Sequence, residues 1–293
     1  MASLRGLLED YSAAEECTTI VHFPSTDDTS ILSLPRLIPP VPYAAATALD
    51  LYTQDQLPRI YPLARMLETL SGALPISRFA PGWGPNGQLS MTHLDLCVVD
   101  VEAMYYPTHA LFAFSPNDTT QMTLYLVHCV VLWVFCPAFY DKLPYSPIQE
   151  DIFSPTIIPR CITIPVHPFC IAYPEALGIF LPYFYLRDTR TLVCQCLPLL
   201  DWISRNDDNI IATLQDKSVG ESLGYALAQE VPFQTLVEFT VKTYSLSLSA
   251  WDMTIQDPQL WTILSCCYEI LLNALAYTTA GCTLTSLMDE EED

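Results

Sequence analysis

A long apolar stretch near the C-terminus most strongly limits how this chain can fold. Residues Pro258 to Thr279 contain a single charged residue, Glu269. Asp257 suits a helix N-cap, Pro258 suits the first helical position, and Gly281 is a typical C-cap. A helix this apolar must be buried in a protein core or in a bilayer. Because no Lys or Arg flanks it, the basic signal of a membrane span is missing, and we expect a core helix.

The middle of the chain alternates apolar and polar residues, which is typical of β-strands. The pattern extends from residue 89 to about 196, with proline, Asn and Asp at the breaks. The predicted strands lie in 93–106, 109–115, 161–173 and 179–186. Residues 119–135 fit either a buried helix or a buried strand. We predict an α+β fold, a mostly antiparallel sheet in the middle of the chain flanked by helices, with a long C-terminal helix.

These patterns divide the chain into consecutive regions. We expect an N-terminal helical region, a β-rich core, a C-terminal helical region and a solvated acidic tail, at 1–87, 88–200, 201–288 and 289–293. Within the first region, a short helix and a polar, acidic connection precede a proline-rich segment, 34–43, which should be extended and exposed. Charges in the first ten residues predict no secretory leader, so the eleven cysteines are expected to be reduced and mostly buried.

Charge disfavours several classes of partner. The formal net charge is -21, and only three residues are lysine, Lys142, Lys217 and Lys242. This balance disfavours nucleic acid and anionic lipid and favours basic protein surfaces. A folded chain with so few amines also offers few sites for ubiquitin attachment.

Two glycine motifs suggest enzymes but lack the required context. Residues 82–87 fit the dinucleotide pattern G-x-G-x-x-G, yet Pro85 lacks an N–H for phosphate and no helix pattern follows. Residues 220–224 fit the hydrolase elbow G-x-S-x-G around Ser222. No histidine follows Ser222 to complete a triad, so a helix start or turn is the favoured interpretation.

Metal binding has weak support in the sequence. Five candidate ligands lie near one another in the chain, namely Cys161, His167, Cys170, Cys194 and Cys196. Paired C-x-x-C units of zinc spacing are absent, so we expect core cysteines on strands. Scattered carboxylates show no paired arrangement. The sequence predicts no enzyme, no cofactor and no metal.

A proline motif offers one route to protein recruitment. Arg36, Pro39 and Pro42 spell R-x-x-P-x-x-P, which places the two prolines on one edge of a polyproline II helix. Such a segment suits an SH3-type domain whose acidic pocket accepts the arginine. The alternative is a rigid connection between two elements.

The C-terminal helix carries a second recruitment pattern. Residues 262–271 fit T-φ-x-x-x-C-x-x-x-L, with Ile263, Cys267 and Leu271 on one helical stripe and Leu264 beside it. The pattern resembles the elongin-binding box of ubiquitin-ligase receptors, which normally has Leu where this chain has Ile263. Residues 191–200 also fit, but Pro198 interrupts the helix that the box requires. The alternative is a core helix.

In size, acidity and the 257–281 helix with Leu264 and Leu271, the chain resembles the GAM family, small acidic early nuclear proteins of avian adenoviruses. That resemblance implies a non-enzymatic viral regulator in the host nucleus, or alternatively the cytoplasm. It implies recruitment of host elongin–cullin ligase subunits and interference with host sumoylation and histone deacetylation. Three alternatives stay open: an SH3-type interaction module, a virion or membrane-associated structural protein, and a serine hydrolase acting through Ser222.

Overall fold

The computed structural model shows an α+β fold, which confirms the predicted class. It describes residues 18–22, 31–35, 37–39, 79–81, 93–98, 107–116, 122–139, 142–143, 161–198 and 210–289. The strands are β1 Thr18–His22, β2 Ile31–Pro35, β3 Phe79–Pro81, β4 His93–Val98, β5 His109–Phe114, β6 Met122–Val127 and β7 Cys161–Cys170. The helices are α1 Cys129–Phe135, α2 Ala176–Leu186, α3 Thr189–Cys196, α4 Ile210–Gln215, α5 Lys217–Glu230, α6 Phe233–Asp252 and α7 Pro258–Asp289.

The chain forms two compact units, each built from separated segments. The helical unit comprises Met1–Pro40, Asp188–Leu248 and Asp257–Asp293, and the sheet unit comprises Val41–Arg187 and Ser249–Gln256. This division differs from the four consecutive regions expected above, because elements far apart in the sequence pack together. The β1–β2 hairpin, for example, belongs to the same unit as α7.

The sheet unit contains a five-stranded sheet of order β3-β4-β7-β5-β6. Every neighbouring pair is antiparallel except β5 with β7. One face of the sheet buries a cluster of aliphatic side chains, Leu94, Ala110, Leu126, Ile164 and Val166. These residues are in register across four strands, and all but Leu126 lie in segments that the alternating pattern predicted as strands. The sheet is mostly antiparallel, as predicted.

The opposite face of the sheet packs against helical segments. Phe139 lies 4.8 Å from Phe169 between ring centroids, and the Tyr125 hydroxyl donates to the Pro174 carbonyl at 3.1 Å. The end of α6 is tied to the same unit, because Asp252 Oδ2 accepts from the Ala172 N–H at 3.0 Å. Burial raises the pKa of Asp252, and the hydrogen bond from Ala172 opposes that rise.

In the sheet unit, the structure corrects one prediction and refines another. Residues 179–186 were predicted as a strand and form α2, whose residues are buried on most sides. A helix buried in this way shows no clear 3.6-residue period, so its apolar run gives no helical signal. Residues 119–135, which fitted either element, contain both: β6 is followed directly by α1.

The helical unit also departs from the sequence-based prediction at two places. Part of the polar connection predicted for the first 33 residues is the antiparallel hairpin β1–β2. The C-terminal helix begins at Pro258 as predicted, and Asp257 Oδ1 accepts from the Gln259 N–H at 2.9 Å as its N-cap. It does not end near Gly281, because α7 continues to Asp289.

Candidate functional site

The predicted elongin-type stripe lies in the core of the helical unit. Ile263, Leu264, Cys267 and Leu271 all have 0% of their surface exposed. The structure therefore brings these four residues together on one side of α7, as their spacing predicted, but turns them inward. Burying each of the Ile and Leu side chains contributes on the order of 1.5–3 kcal/mol to folding. In this conformation, the stripe is unavailable to a partner.

The elements that cover this stripe explain its burial. Helices α3, α4 and α5 and strand β1 all pack on α7. The pKa of Cys267 is raised by burial and next by its contact with Cys196 on α3. The Tyr268 hydroxyl donates to the Pro35 carbonyl at the end of β2, and its ring lies 5.8 Å from that of Tyr244. The helix is thus the central element of this unit.

The glycines of the apparent hydrolase elbow have a structural role in the crossing of α5 and α7. A Cβ on Gly224 would lie 3.0 Å from the Asn273 Cβ and 3.3 Å from the Ile270 carbonyl oxygen. A Cβ on Gly220 would lie 3.7 Å from the Ile270 Cγ1. The two glycines, one turn apart, therefore allow the helix backbones to approach closely. Later residues of α5 meet later residues of α7, so the two helices run parallel.

Ser222 does not occupy a nucleophile elbow. It lies inside α5, is exposed, and donates its hydroxyl hydrogen to the Ser218 carbonyl at 2.8 Å. An elbow requires a strand-to-helix turn that presents the serine above a sheet. The pattern that suggested a hydrolase is a helix-packing motif.

The outer surface of the same crossing carries two exposed tyrosines that sequence reasoning missed. Tyr225 on α5 is 57% exposed and Tyr277 on α7 is 42% exposed. Their rings meet edge to face, with centroids 5.8 Å apart and planes at 81°. By contrast, Tyr244 and Tyr268 in the same unit are 7% and 2% exposed. No periodic signal in the sequence separates the two kinds of tyrosine.

Acidic side chains accompany this aromatic pair. Glu221, one turn before Tyr225, and Glu269, two turns before Tyr277, are both exposed. Lys217 lies 4.0 Å from Glu221, with 85% and 55% of the two side chains exposed. A pair so exposed contributes little to stability and leaves the carboxylate accessible to another cation.

The three lysines have different environments. Lys142 and Lys217 are exposed. Lys242 is half-buried, donates to the Gln195 Oε1 at 2.9 Å and lies 5.7 Å from the centroid of the Phe239 ring. Burial lowers the pKa of Lys242. Two lysines are therefore freely accessible for covalent modification.

The proline motif is described only in part. Leu34 is buried, whereas Leu37 is 76% exposed. Pro39 is half-buried. Arg36 and Pro42 lie outside the described residues. The start of segment 34–43 is thus anchored in β2, and the exposure predicted for the whole segment does not hold at Leu34.

A buried polar network in the sheet unit has a structural role. The Tyr185 hydroxyl accepts from the His128 N–H at 3.0 Å and lies 2.7 Å from His128 Nδ1. Burial raises the pKa of Tyr185. The ring of His109 on β5 lies 5.2 Å, between centroids, from the ring of His167 on the neighbouring strand β7. Burial lowers the pKa of His167. The His128–Tyr185 contacts join the β6–α1 junction to α2, and the His109–His167 contact joins β5 to β7.

The candidate metal ligands are distributed over different elements. His167 and Cys170 are three residues apart on β7 and so project from opposite faces of the sheet. Cys194 and Cys196 lie on α3, in the other compact unit. Cys161 begins β7, and its side chain is not described. Within the described parts of the chain, no three His, Cys, Asp or Glu side chains are arranged to hold a metal ion.

One helical stretch in the described residues, Pro258–Thr279, is long and apolar enough to cross a membrane. Most of it is buried inside the protein, and a core helix satisfies the same criterion. Comparison with protein-family models, curated proteins and solved structures gives no match to this chain. Its function must be inferred from its own residues.

Proposed function

We propose that this chain is a non-enzymatic protein-interaction adaptor. The observation that carries the proposal is the exposed pair of tyrosine rings on the outer surface of α5 and α7, two helices that also expose the carboxylates of Glu221 and Glu269. Aromatic side chains at the centre of interfaces contribute much of the binding free energy, and tyrosine is among the most enriched. Ser222, the nucleophile that the sequence suggested, donates to the Ser218 carbonyl within α5 instead.

The adaptor proposal extends to a ubiquitin ligase. Only two exposed lysines, Lys142 and Lys217, offer accessible amines on the described surface. A ligase receptor with so few amines would undergo little self-ubiquitination. Recruitment of a host elongin–cullin ligase, with interference in host sumoylation and histone deacetylation in the nucleus, is the specific form of this proposal. That form is supported by the resemblance to the GAM family.

Burial of the stripe sets a condition on elongin binding through α7. Elongin can reach Leu264 and Leu271 only if elements that pack on α7 move away from it. Binding of purified elongin complex through this stripe should therefore increase amide hydrogen exchange in at least one of α3, α4 and α5, whereas binding elsewhere should leave exchange in all three unchanged. If folded protein does not bind elongin at all, the ligase form of the proposal is wrong.

The obvious double variant, Leu264→Ala with Leu271→Ala, would not distinguish binding from folding. Each substitution creates a core cavity and should cost about 2–5 kcal/mol of stability. The conservative Leu264→Met keeps the volume and should preserve the fold while changing the shape of the stripe. Loss of elongin capture by a folded Leu264→Met variant would support contact through this helix.

The broader adaptor proposal is tested by affinity purification from host cells, with quantitative identification of captured proteins. Saturable capture of one or more proteins at near-equal molar ratio is the expected result. The proposal fails if folded bait captures nothing beyond a matched acidic control protein. Arg36→Ala in the same experiment tests the SH3-type alternative, which requires a partner that this variant loses.

A further inference from the structure

The outer crossing of α5 and α7 forms a defined surface, which we call the tyrosine face. It consists of Tyr225 and Tyr277 with Glu221 and Glu269. The two rings support each other edge to face at 5.8 Å, so each holds the other in place before any partner arrives. The glycine crossing beneath them fixes the spacing of the two helices. Preorganised aromatic groups lose little conformational freedom on binding, which favours affinity.

Charge defines what can occupy the tyrosine face. The described side chains of α5 and of α7 up to Thr279 include three carboxylates, Glu221, Glu230 and Glu269, and one amine, Lys217, which makes only a long, exposed contact with Glu221. A second copy of the chain would bring a formal charge of -21 against the same charge, and phosphate or anionic lipid would also be repelled. A basic protein segment is the complementary occupant.

The chemistry of the face favours arginine over lysine. A guanidinium can lie over an aromatic ring and at the same time donate to a carboxylate in its own plane. Tyr225 and Glu221, one turn apart on α5, offer that combination. The chain shows the ring contact internally: the Arg187 guanidinium lies 5.0 Å from the centroid of the Phe135 ring and 4.9 Å from that of the Tyr183 ring.

We propose that the tyrosine face binds an arginine-containing basic segment of a partner protein. This inference rests on the proposed adaptor function and specifies its contact surface. The guanidinium of the partner lies against Tyr225 and Tyr277 and pairs with Glu221. Glu269 contributes to the field that attracts the segment.

Fluorescence anisotropy with a short labelled arginine–alanine peptide tests the proposal on the full chain. We expect the wild type to bind the peptide saturably. Binding should be at least about tenfold weaker for Tyr225→Ala/Tyr277→Ala, because an anchoring aromatic pair contributes more than about 1.4 kcal/mol to the binding free energy. A lysine–alanine peptide of the same length should bind several-fold more weakly. The matched controls are Tyr225→Phe/Tyr277→Phe, which keeps both rings, and Leu37→Ala, which removes an exposed apolar side chain elsewhere in the helical unit. Both controls should bind like the wild type.

Each contrary result overturns the proposal: no binding of the arginine peptide, equal binding by the alanine variant, or equal binding of the lysine peptide. If thermal melting shows that the alanine variant is unfolded, Glu221→Gln is the second test. It should weaken the arginine peptide severalfold and reduce the salt dependence of binding, and an unchanged affinity would contradict the pairing. Binding to anionic vesicles that depends on Tyr225 and Tyr277 would identify a membrane as the occupant and also overturn the proposal.

Affinity capture from cells distinguishes a failure of this inference from a failure of the proposed adaptor function. If Tyr225→Ala/Tyr277→Ala captures the same proteins as the wild type, the adaptor function stands and the tyrosine face is not its contact surface. If the wild type itself captures nothing, the adaptor function fails.

Discussion

At the scale of single residues, two glycines one turn apart meet different surroundings on the same neighbouring helix. A methyl group added at Gly224 would meet backbone atoms and the Asn273 Cβ of α7, whereas one added at Gly220 would meet the flexible Ile270 side chain. In both places, replacing glycine by alanine gains about 1 kcal/mol of helix propensity. Only at Gly224 must the helices separate to admit the new methyl group.

The glycine pair gives a matched prediction for stability. Gly224→Ala should lower the free energy of unfolding by about 1–3 kcal/mol, since overpacking outweighs the propensity gain. Gly220→Ala should leave it unchanged or raise it by up to about 1 kcal/mol. Urea denaturation of both variants measures the difference. Equal stabilisation by both substitutions would show that the two helices do not cross closely at Gly224.

The buried carboxyl of Asp252 predicts a particular pH dependence. Its pKa in the folded state is raised by burial above the ordinary 3.8, so the unfolded chain releases this proton first as pH rises. The contribution of Asp252 to stability is therefore greatest at low pH and declines as pH rises through its folded pKa. Asp252→Asn keeps an oxygen acceptor for the Ala172 N–H and removes this decline. The stability of the variant relative to wild type should increase between about pH 3 and about pH 6.

A carboxyl with the opposite shift provides the control for Asp252. Hydrogen bonds from the Ser218 side chain and backbone lower the pKa of Asp216, the N-cap of α5. Asp216 therefore stabilises the fold above its unfolded pKa, and this contribution is lost as pH falls through the folded value. Asp216→Asn should lose stability relative to wild type as pH rises. Denaturant midpoints at a series of pH values measure both trends, and parallel trends would contradict the assignments.

At the scale of elements, α7 shows what local sequence signals determine. Its start at Pro258 was predictable because the Asp257 carboxylate and the proline act within one turn. Its end was not, because a glycine such as Gly281 permits a helix to stop without requiring it. Helix α2 was predicted as a strand because its residues are buried on most sides. Its apolar run therefore shows neither the 3.6-residue period of a helix nor the two-residue period of a strand.

The N-cap of α7 supplies the prediction at this scale. Asp257→Ala removes the acceptor for the Gln259 N–H and should lower the free energy of unfolding by about 1 kcal/mol. Asp257→Asn retains a capping oxygen and should cost less. Thermal or urea unfolding tests the order. If alanine and asparagine give the same stability as wild type, the side chain does not cap the helix.

At the scale of the whole molecule, sequence composition indicates the class of partner, whereas only the fold shows which side chains are exposed. The net charge and the scarcity of lysine are read directly from the sequence and indicate the kind of partner. The proposed contact surface could not be predicted, because exposure of Tyr225 and Tyr277 depends on how two helices about fifty residues apart in the sequence cross. The stripe of Ile263, Cys267 and Leu271 was correctly placed on one face of a helix. Only packing reveals that this face is internal.

The central claim is that this chain binds partner proteins through the exposed face of α5 and α7. Quantitative affinity capture from cell lysate with three baits tests it most directly: wild type, Tyr225→Ala/Tyr277→Ala, and the control Leu37→Ala. We predict that a basic protein captured by the wild type is retained by Leu37→Ala and depleted at least about tenfold by the tyrosine variant. Identical captured proteins from the wild type and a folded tyrosine variant would contradict the claim.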